Sequence, residues 1–220
     1  MSGAPQDEAG LRQEMTLAMQ AMAARGLNRG TSGNLSVRWQ DGLLVTPSGV
    51  PPEALTPASM VRIDGAGNAD PDGLRPSSEW RMHQGLLAGR PDVNAVVHCH
   101  SRHATILACA HKSIPAVHYM VGVSGGPSVP VAPYAPFGSE ELAAGVVEAL
   151  AGRYACLMAN HGQIAIAQSL WRALAIAEEI EEQAAVYWGA LMIGGPTLLT
   201  DAQMDEVLGR FRSYGQQRPS

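Results

Sequence analysis

The sequence predicts an α/β (α+β) domain in three layers, with a central, mostly antiparallel sheet flanked by helices. Three observations carry this. Short apolar runs are joined by tight turn residues, which favours antiparallel pairing. Amphipathic helical segments are interspersed among them. The chain has 220 residues, 46% hydrophobic and 16% charged, and at that length about 70% of the unfolded surface can be buried in one core. A single domain over residues 1–220 is expected.

The elements follow in order. Residues 8–25 place Leu11, Met15, Ala18, Met19 and Met22 at helical spacing, with Gly26 as the stop. Extended runs at 35–39 and 43–46 are joined by Gln40, Asp41 and Gly42, a hairpin signal. Residues 61–63 and the turn residues at 64–68 predict a second hairpin. A helix is expected at 78–89, a strand at 94–100 and a short helix at 101–110. Residues 114–138, rich in proline and glycine among strand-like triplets, predict strands linked by tight loops. Then come a helix at 140–150, strands at 155–159 and 164–167, and a long helix at 170–193. Thr200 and Gln203 form a capping-box pattern that opens a last helix through Phe211.

Composition removes several function classes. Fifteen Lys+Arg against twenty Asp+Glu give a net charge of −5, and the basic residues form no run; nucleic acid and anionic membranes are unsuited as partners. No apolar stretch is long enough to span a bilayer, and the first residues lack the layout of a signal peptide. Cys99, Cys109 and Cys156 are too few for a disulfide framework. A cytoplasmic protein is expected. Lys112 is the only lysine, set between His111 and Ser113 in a polar turn, so imine chemistry on a desolvated lysine is nearly excluded.

The histidines carry the chemistry. On a strand at 94–100, Val96, His98 and His100 share one face while Val97 and Cys99 share the other. Two imidazoles at this spacing can converge on one ion, with Cys99 turned away. A catalytic zinc needs a third protein ligand and an open position. His161, in the turn between two apolar strands, is the best third ligand, with Gly162 supplying flexibility; His103 is a weaker rival. His83, His111 and His118 are expected to hydrogen-bond locally. Glu79, at a helix start, suits the helix dipole, and beside a metal it can ligate or move protons. Ser77 and Ser78 can cap that helix or help hold a phosphate. The turns at 29–34 and 46–49 can cradle an anion with backbone amides or serve as plain loops.

Taken together, Gly30-Thr-Ser-Gly-Asn34, Thr46-Pro-Ser-Gly49, Pro76-Ser-Ser-Glu-Trp-Arg81, Ala95-Val-Val-His-Cys-His100, Ile114-Pro-Ala-Val-His-Tyr-Met120, Ala132-Pro-Tyr-Ala-Pro-Phe-Gly138, Asn160-His-Gly162 and Phe211-Arg-Ser-Tyr-Gly215 resemble the class II aldolase/adducin family. The resemblance runs along nearly the whole chain. It implies zinc (Zn2+) held by His98, His100 and His161, with Glu79 completing the resting coordination and then acting as acid/base. It implies a substrate phosphate held by Thr31, Gly33 and Asn34, by Ser48 and Gly49, and by Ser77 and Ser78. Tyr119 and Tyr214 would reach a neighbouring subunit's site in a cyclic homotetramer. The implied reaction is reversible cleavage of a ketose 1-phosphate, L-fuculose 1-phosphate or a related deoxy- or methylthio-ribulose 1-phosphate, to dihydroxyacetone phosphate and an aldehyde. Cobalt and manganese stay open as metals. On the same scaffold an epimerase, dehydratase or decarboxylase is the alternative, or an adducin-like interaction module without metal.

Overall fold

The computed structural model describes residues 7–211. Its strands are β1 (Asn34–Trp39), β2 (Gly42–Val45), β3 (Val61–Ile63), β4 (Ala95–Cys99), β5 (Val131–Ala132), β6 (Ala155–Met158) and β7 (Gly162–Ala167). Its helices are α1 (Glu8–Ala24), α2 (Trp80–Gly89), α3 (Arg102–Cys109), α4 (Glu140–Ala149), α5 (Leu170–Met192) and α6 (Asp201–Phe211). The strands form one sheet in the order β3-β2-β1-β4-β7-β6-β5. Every pairing is antiparallel except β5 against β6.

Side-chain alternation sorts the sheet into two cores. On β4, Ala95, Val97 and Cys99 pack with residues of α1, α3 and α5, while Val96 packs with residues of α2 and α4. On β7, Ala165 and Ala167 take the first side, Ile164 and Ile166 the second. The smaller side chains lie under the long helix α5. Helices on both faces make the three expected layers. Each fully buried Val, Leu, Ile or Met side chain contributes about 1.5–3 kcal/mol.

Local chemistry sets the helix starts. Asp7 accepts from the Gly10 amide and Ser139 from the Leu142 amide, each satisfying a helix-end donor. Thr200 and Gln203 form the expected reciprocal box, with the Thr200 amide 2.9 Å from Gln203 Oε1 and the Gln203 amide 3.3 Å from Thr200 Oγ1.

Three segments differ from expectation. Residues 114–138 hold only the two-residue β5, a 3-10 turn (Tyr119–Ser124) and an isolated bridge between Ile114 and Val129. Pro130, Pro133 and Pro136 recur at every third position, and a residue without an N–H cannot extend a ladder. The second hairpin reduces to one bridge, Ile63 to Ala69. The helix expected from residue 78 begins at Trp80 with Glu79 as its N-cap. Residue 77 is held out of the helix, since its amide donates to Thr46 O beside the Pro47–Pro76 bridge.

Candidate active site

Sheet register assembles the histidines. β4 ends at Cys99, so His98 and His100 flank that end, and β7 pairs with β4 through Cys99 opposite Gln163. The turn before β7 therefore carries His161 over the same sheet end. A Cβ on Gly162 would lie 2.5 Å from Cys99 O and 3.0 Å from the His100 ring. Gly162 thus serves close approach, and the left-handed turn residue is Asn160, at φ 54°. This corrects the flexibility expected of Gly162. Cys99 lies in the opposite core, fully buried, where burial pushes its thiol up to about 12.

The three rings gather in one cluster, with centroids 4.9, 4.8 and 5.0 Å apart pairwise. His98 Nε2 stands 3.0 Å from His100 Nε2. Glu79 closes the group, its Oε2 3.3 Å from His98 Nε2 and its Oε1 3.3 Å from His161 Nε2. Four donors around an ion at zinc-like distances would stand about 3.3 Å apart along tetrahedral edges, and these three separations are of that size, so the set can hold a metal ion. Two further observations agree. His98 Nδ1 lies 2.8 Å from Gln163 O; the carbonyl accepts, so Nδ1 carries the proton and Nε2 presents its lone pair. Glu79 Oε1 is buried and accepts no hydrogen bond, an arrangement costly unless a cation faces it.

Electrostatics keep the set ready for a cation. Burial holds His98 down at about 4, against the opposing pull of Glu79 and with the help of His100 and His161. Burial also lowers His100, with His161 adding to it. For Glu79, burial pushes upward, but His98, His161 and the Asn34 hydrogen bond outweigh it and leave the carboxyl below its ordinary range. Neutral imidazoles and an ionised carboxylate are the forms that bind metal.

The cluster sits at the floor of a cleft of about 350 Å³. Thr31, Gly33, Asn34, Ser48, Gly49, Ser77, Ser78, Glu79, His100 and His161 all line it. Gly33 has φ +75°, and a Cβ there would meet the Asn28 side chain at 2.3 Å. The Ser48 and Ser77 amides are spent on Arg75 O and Thr46 O; the Ser48 hydroxyl is left for a ligand, while the Ser77 hydroxyl accepts from the Glu79 amide at 3.3 Å and keeps its proton to donate. Both ends of the Asn34 carboxamide are taken: Nδ2 donates to Glu79 Oε2 at 2.9 Å, and Oδ1 faces His83 Nε2 at 2.6 Å. The side chain is buried between those two groups, and the main chain pairs with His98 across β1 and β4. Tyr119 does not line the cleft; its ring packs by His118 and Phe211 and is 49% exposed. Tyr214 lies outside the described residues.

Of the other histidines, only His118 bonds nearby, accepting from the Met120 amide. His103 opens α3 and pairs with Glu181 at 2.8 Å. His111 reaches Asn160 Oδ1, and His83 reaches Ser36 and Asn34, so both bond far from their own segment. Sequence reasoning missed Tyr134 and Phe137 in the cleft wall, 63% and 73% exposed. It missed His83 as well, though His83 stands one helical turn beyond Glu79.

The model of the Class II Aldolase and Adducin N-terminal domain matches residues 13–188. The chain belongs to the class II aldolase family. It is 48% identical over 195 residues to L-fuculose phosphate aldolase of Escherichia coli, covering 88% of this chain and 90% of that one. It is 46% identical over 211 residues to the 5-methylthioribulose-1-phosphate/5-deoxyribulose-1-phosphate aldolase of Rhodospirillum rubrum, covering 96% and 95%. A solved L-fuculose 1-phosphate aldolase superposes with a TM-score of 0.89 at 37% identity, over 96% of this chain and 100% of that one. This class II aldolase is an enzyme of the lyase class, and its relatives do not favour the epimerase, dehydratase, decarboxylase or interaction-module alternatives. Among the described residues, no helix is long and apolar enough to cross a membrane.

Proposed function

We propose that this class II aldolase reversibly cleaves a ketose 1-phosphate to dihydroxyacetone phosphate and an aldehyde. The carrying observation is one cleft with a trihistidine–carboxylate cluster on its floor and three hydroxyl-bearing turns on its walls. The substrate is L-fuculose 1-phosphate or a 5-deoxy- or 5-methylthio-ribulose 1-phosphate, the ketoses in the names of its relatives.

His98, His100 and His161 would hold zinc, with Glu79 as a fourth ligand before substrate arrives. Bound there, the metal supplies Lewis-acid polarisation of substrate oxygens and offsets the negative charge left as the carbon–carbon bond breaks. The chain's own residues do the rest. Thr31, Gly33, Ser48, Gly49, Ser77 and Ser78 hold the phosphate through hydroxyls and free amides, and Asn34 lies beside them. Among the described residues no lysine or arginine lines this cleft, so the phosphate rests on hydrogen bonds in place of point charges. Glu79, freed from the resting arrangement, moves the proton at substrate C3. Tyr119 exchanges a proton with the aldehyde oxygen, and Tyr119 and Tyr214 serve the cleft of a neighbouring subunit in a cytoplasmic homotetramer.

A panel of fuculose, rhamnulose, ribulose, 5-deoxyribulose and methylthioribulose 1-phosphates tests this, with dihydroxyacetone phosphate detected. At least one is expected to be cleaved, with loss of activity in chelator and recovery on adding zinc. Failure to release dihydroxyacetone phosphate from any of them would overturn the proposal.

A further inference from the structure

The polar chain behind Glu79 is buried and continuous. Ser36 Oγ lies 2.8 Å from His83 Nδ1, His83 Nε2 lies 2.6 Å from Asn34 Oδ1, and Asn34 Nδ2 lies 2.9 Å from Glu79 Oε2. Ser36 and His83 are fully buried, and Asn34 and Glu79 nearly so. The carboxylate has only acceptor oxygens, so Asn34 must present its amine to Glu79 and its carbonyl to His83. A carbonyl cannot donate, so His83 Nε2 must carry the proton. His83 Nδ1 is then an acceptor, and Ser36 must donate to it. One end fixes every proton in the chain.

We infer that His83 is a positioning residue for the aldolase reaction, acting as a neutral Nε2–H imidazole that locks the Asn34 carboxamide and, through it, the rotamer of Glu79. This rests on the proposed aldolase reading and deepens it. The consequence is asymmetric treatment of the two carboxylate oxygens. Oε2 receives the Asn34 hydrogen bond, while Oε1 is left buried and bare toward His161. Without a donor at residue 83, the Asn34 carboxamide can turn over, and its carbonyl would then repel Glu79 from its place beside the histidines.

Residues that orient a metal's ligands change affinity or activity by about 10- to 100-fold. His83→Phe keeps a flat ring and removes both ring nitrogens; His83→Gln restores an N–H donor near the Nε2 position. The expected results are an Nε2–H tautomer from the 15N shifts of His83 in the wild-type chain, and in His83→Phe a kcat lower by about 10- to 100-fold with KM nearly unchanged. Zinc affinity, read by chelator competition, should fall by a similar factor, and His83→Gln should recover most of both. The inference is overturned by an Nδ1–H tautomer, by unchanged kcat and zinc affinity in His83→Phe, or by His83→Gln as impaired as His83→Phe. If His83→Phe does not fold, the wild-type tautomer and the Gln variant still decide. Failure of the wild-type chain to cleave any ketose 1-phosphate would sink the aldolase reading alone, because tautomer and zinc affinity are measured without turnover.

Discussion

At the floor of the cleft, His98, His100, His161 and Glu79 are set by β4, by the turn into β7 and by the N-cap of α2, with His98 and Glu79 buried. Along its walls, Thr31, Ser48 and Ser78 sit in exposed turns and present hydroxyls. Both regions must manage negative charge, and they do so differently. The floor concentrates lone pairs that only a cation can bring together, so it needs rigidity and burial. On the proposed reading the walls spread many weak donors over the substrate phosphate, so each can be small, solvated and separately replaceable. Loss of one floor group should therefore be catastrophic, and loss of one wall group graded.

Removing a floor ligand gives the largest expected effect. His161→Ala or His98→Ala should lose zinc and slow turnover by more than about 10³-fold, beyond the roughly 10- to 100-fold scale of outer-shell losses; metal content by elemental analysis and kcat check this. Near-normal activity in either would break the contrast between floor and walls. Glu79→Gln, nearly isosteric, should lower kcat by about 10²- to 10⁴-fold with little change in KM, as steady-state kinetics would reveal. On the walls, Ser48→Ala or Ser78→Ala should chiefly raise KM. A hydrogen bond to a charged group is worth about 1.5–3 kcal/mol, roughly 10- to 100-fold, and the unphosphorylated ketose should be indifferent to the change.

The smallest effect per step concerns acid stability of the metal-free chain. Burial, followed by the charge of His98, holds His83 at about 3 against the pull of Glu79, and His98 is held at about 4. The folded pKa lies below the unfolded value near 6.5, so the unfolded chain binds more protons in that window. Stability is then complete above pH 6.5 and falls as pH drops toward 4 and 3, by at most about 1.4 kcal/mol per pH unit for each histidine. Urea midpoints measured across that range in chelator would expose the slope, and a flat or inverted profile would contradict neutral burial.

Much of the site was legible because period-two alternation on a strand is a strong constraint. It put His98 on one face and Cys99 on the other, and the two cores divide the strand in that way. His83 was read only as bonding locally, although it stands four residues beyond Glu79, the N-cap of α2, and Asn34 and Ser36 stand two apart on a strand. Each spacing places its pair on one face, but nothing local says that those two faces meet. Tyr134 and Phe137 escaped for a different reason. This proline-rich segment has neither the helix nor the strand side-chain period, so its side-chain directions depend on what the loop packs against.

The sequence by itself determined the helices, the strand faces, the improbability of lysine chemistry and the set of imidazoles able to meet a cation, since these depend on periodicity and residue type. Only the tertiary structure decided that Gly162 permits contact with Cys99 O, that the Asn34 carboxamide turns inward to Glu79, and that His83 stands behind it. Those outcomes depend on the register between β4 and β7 and on the seating of α2 against β1. Such long-range contacts fix hydrogen-bond partners that no stretch of sequence contains.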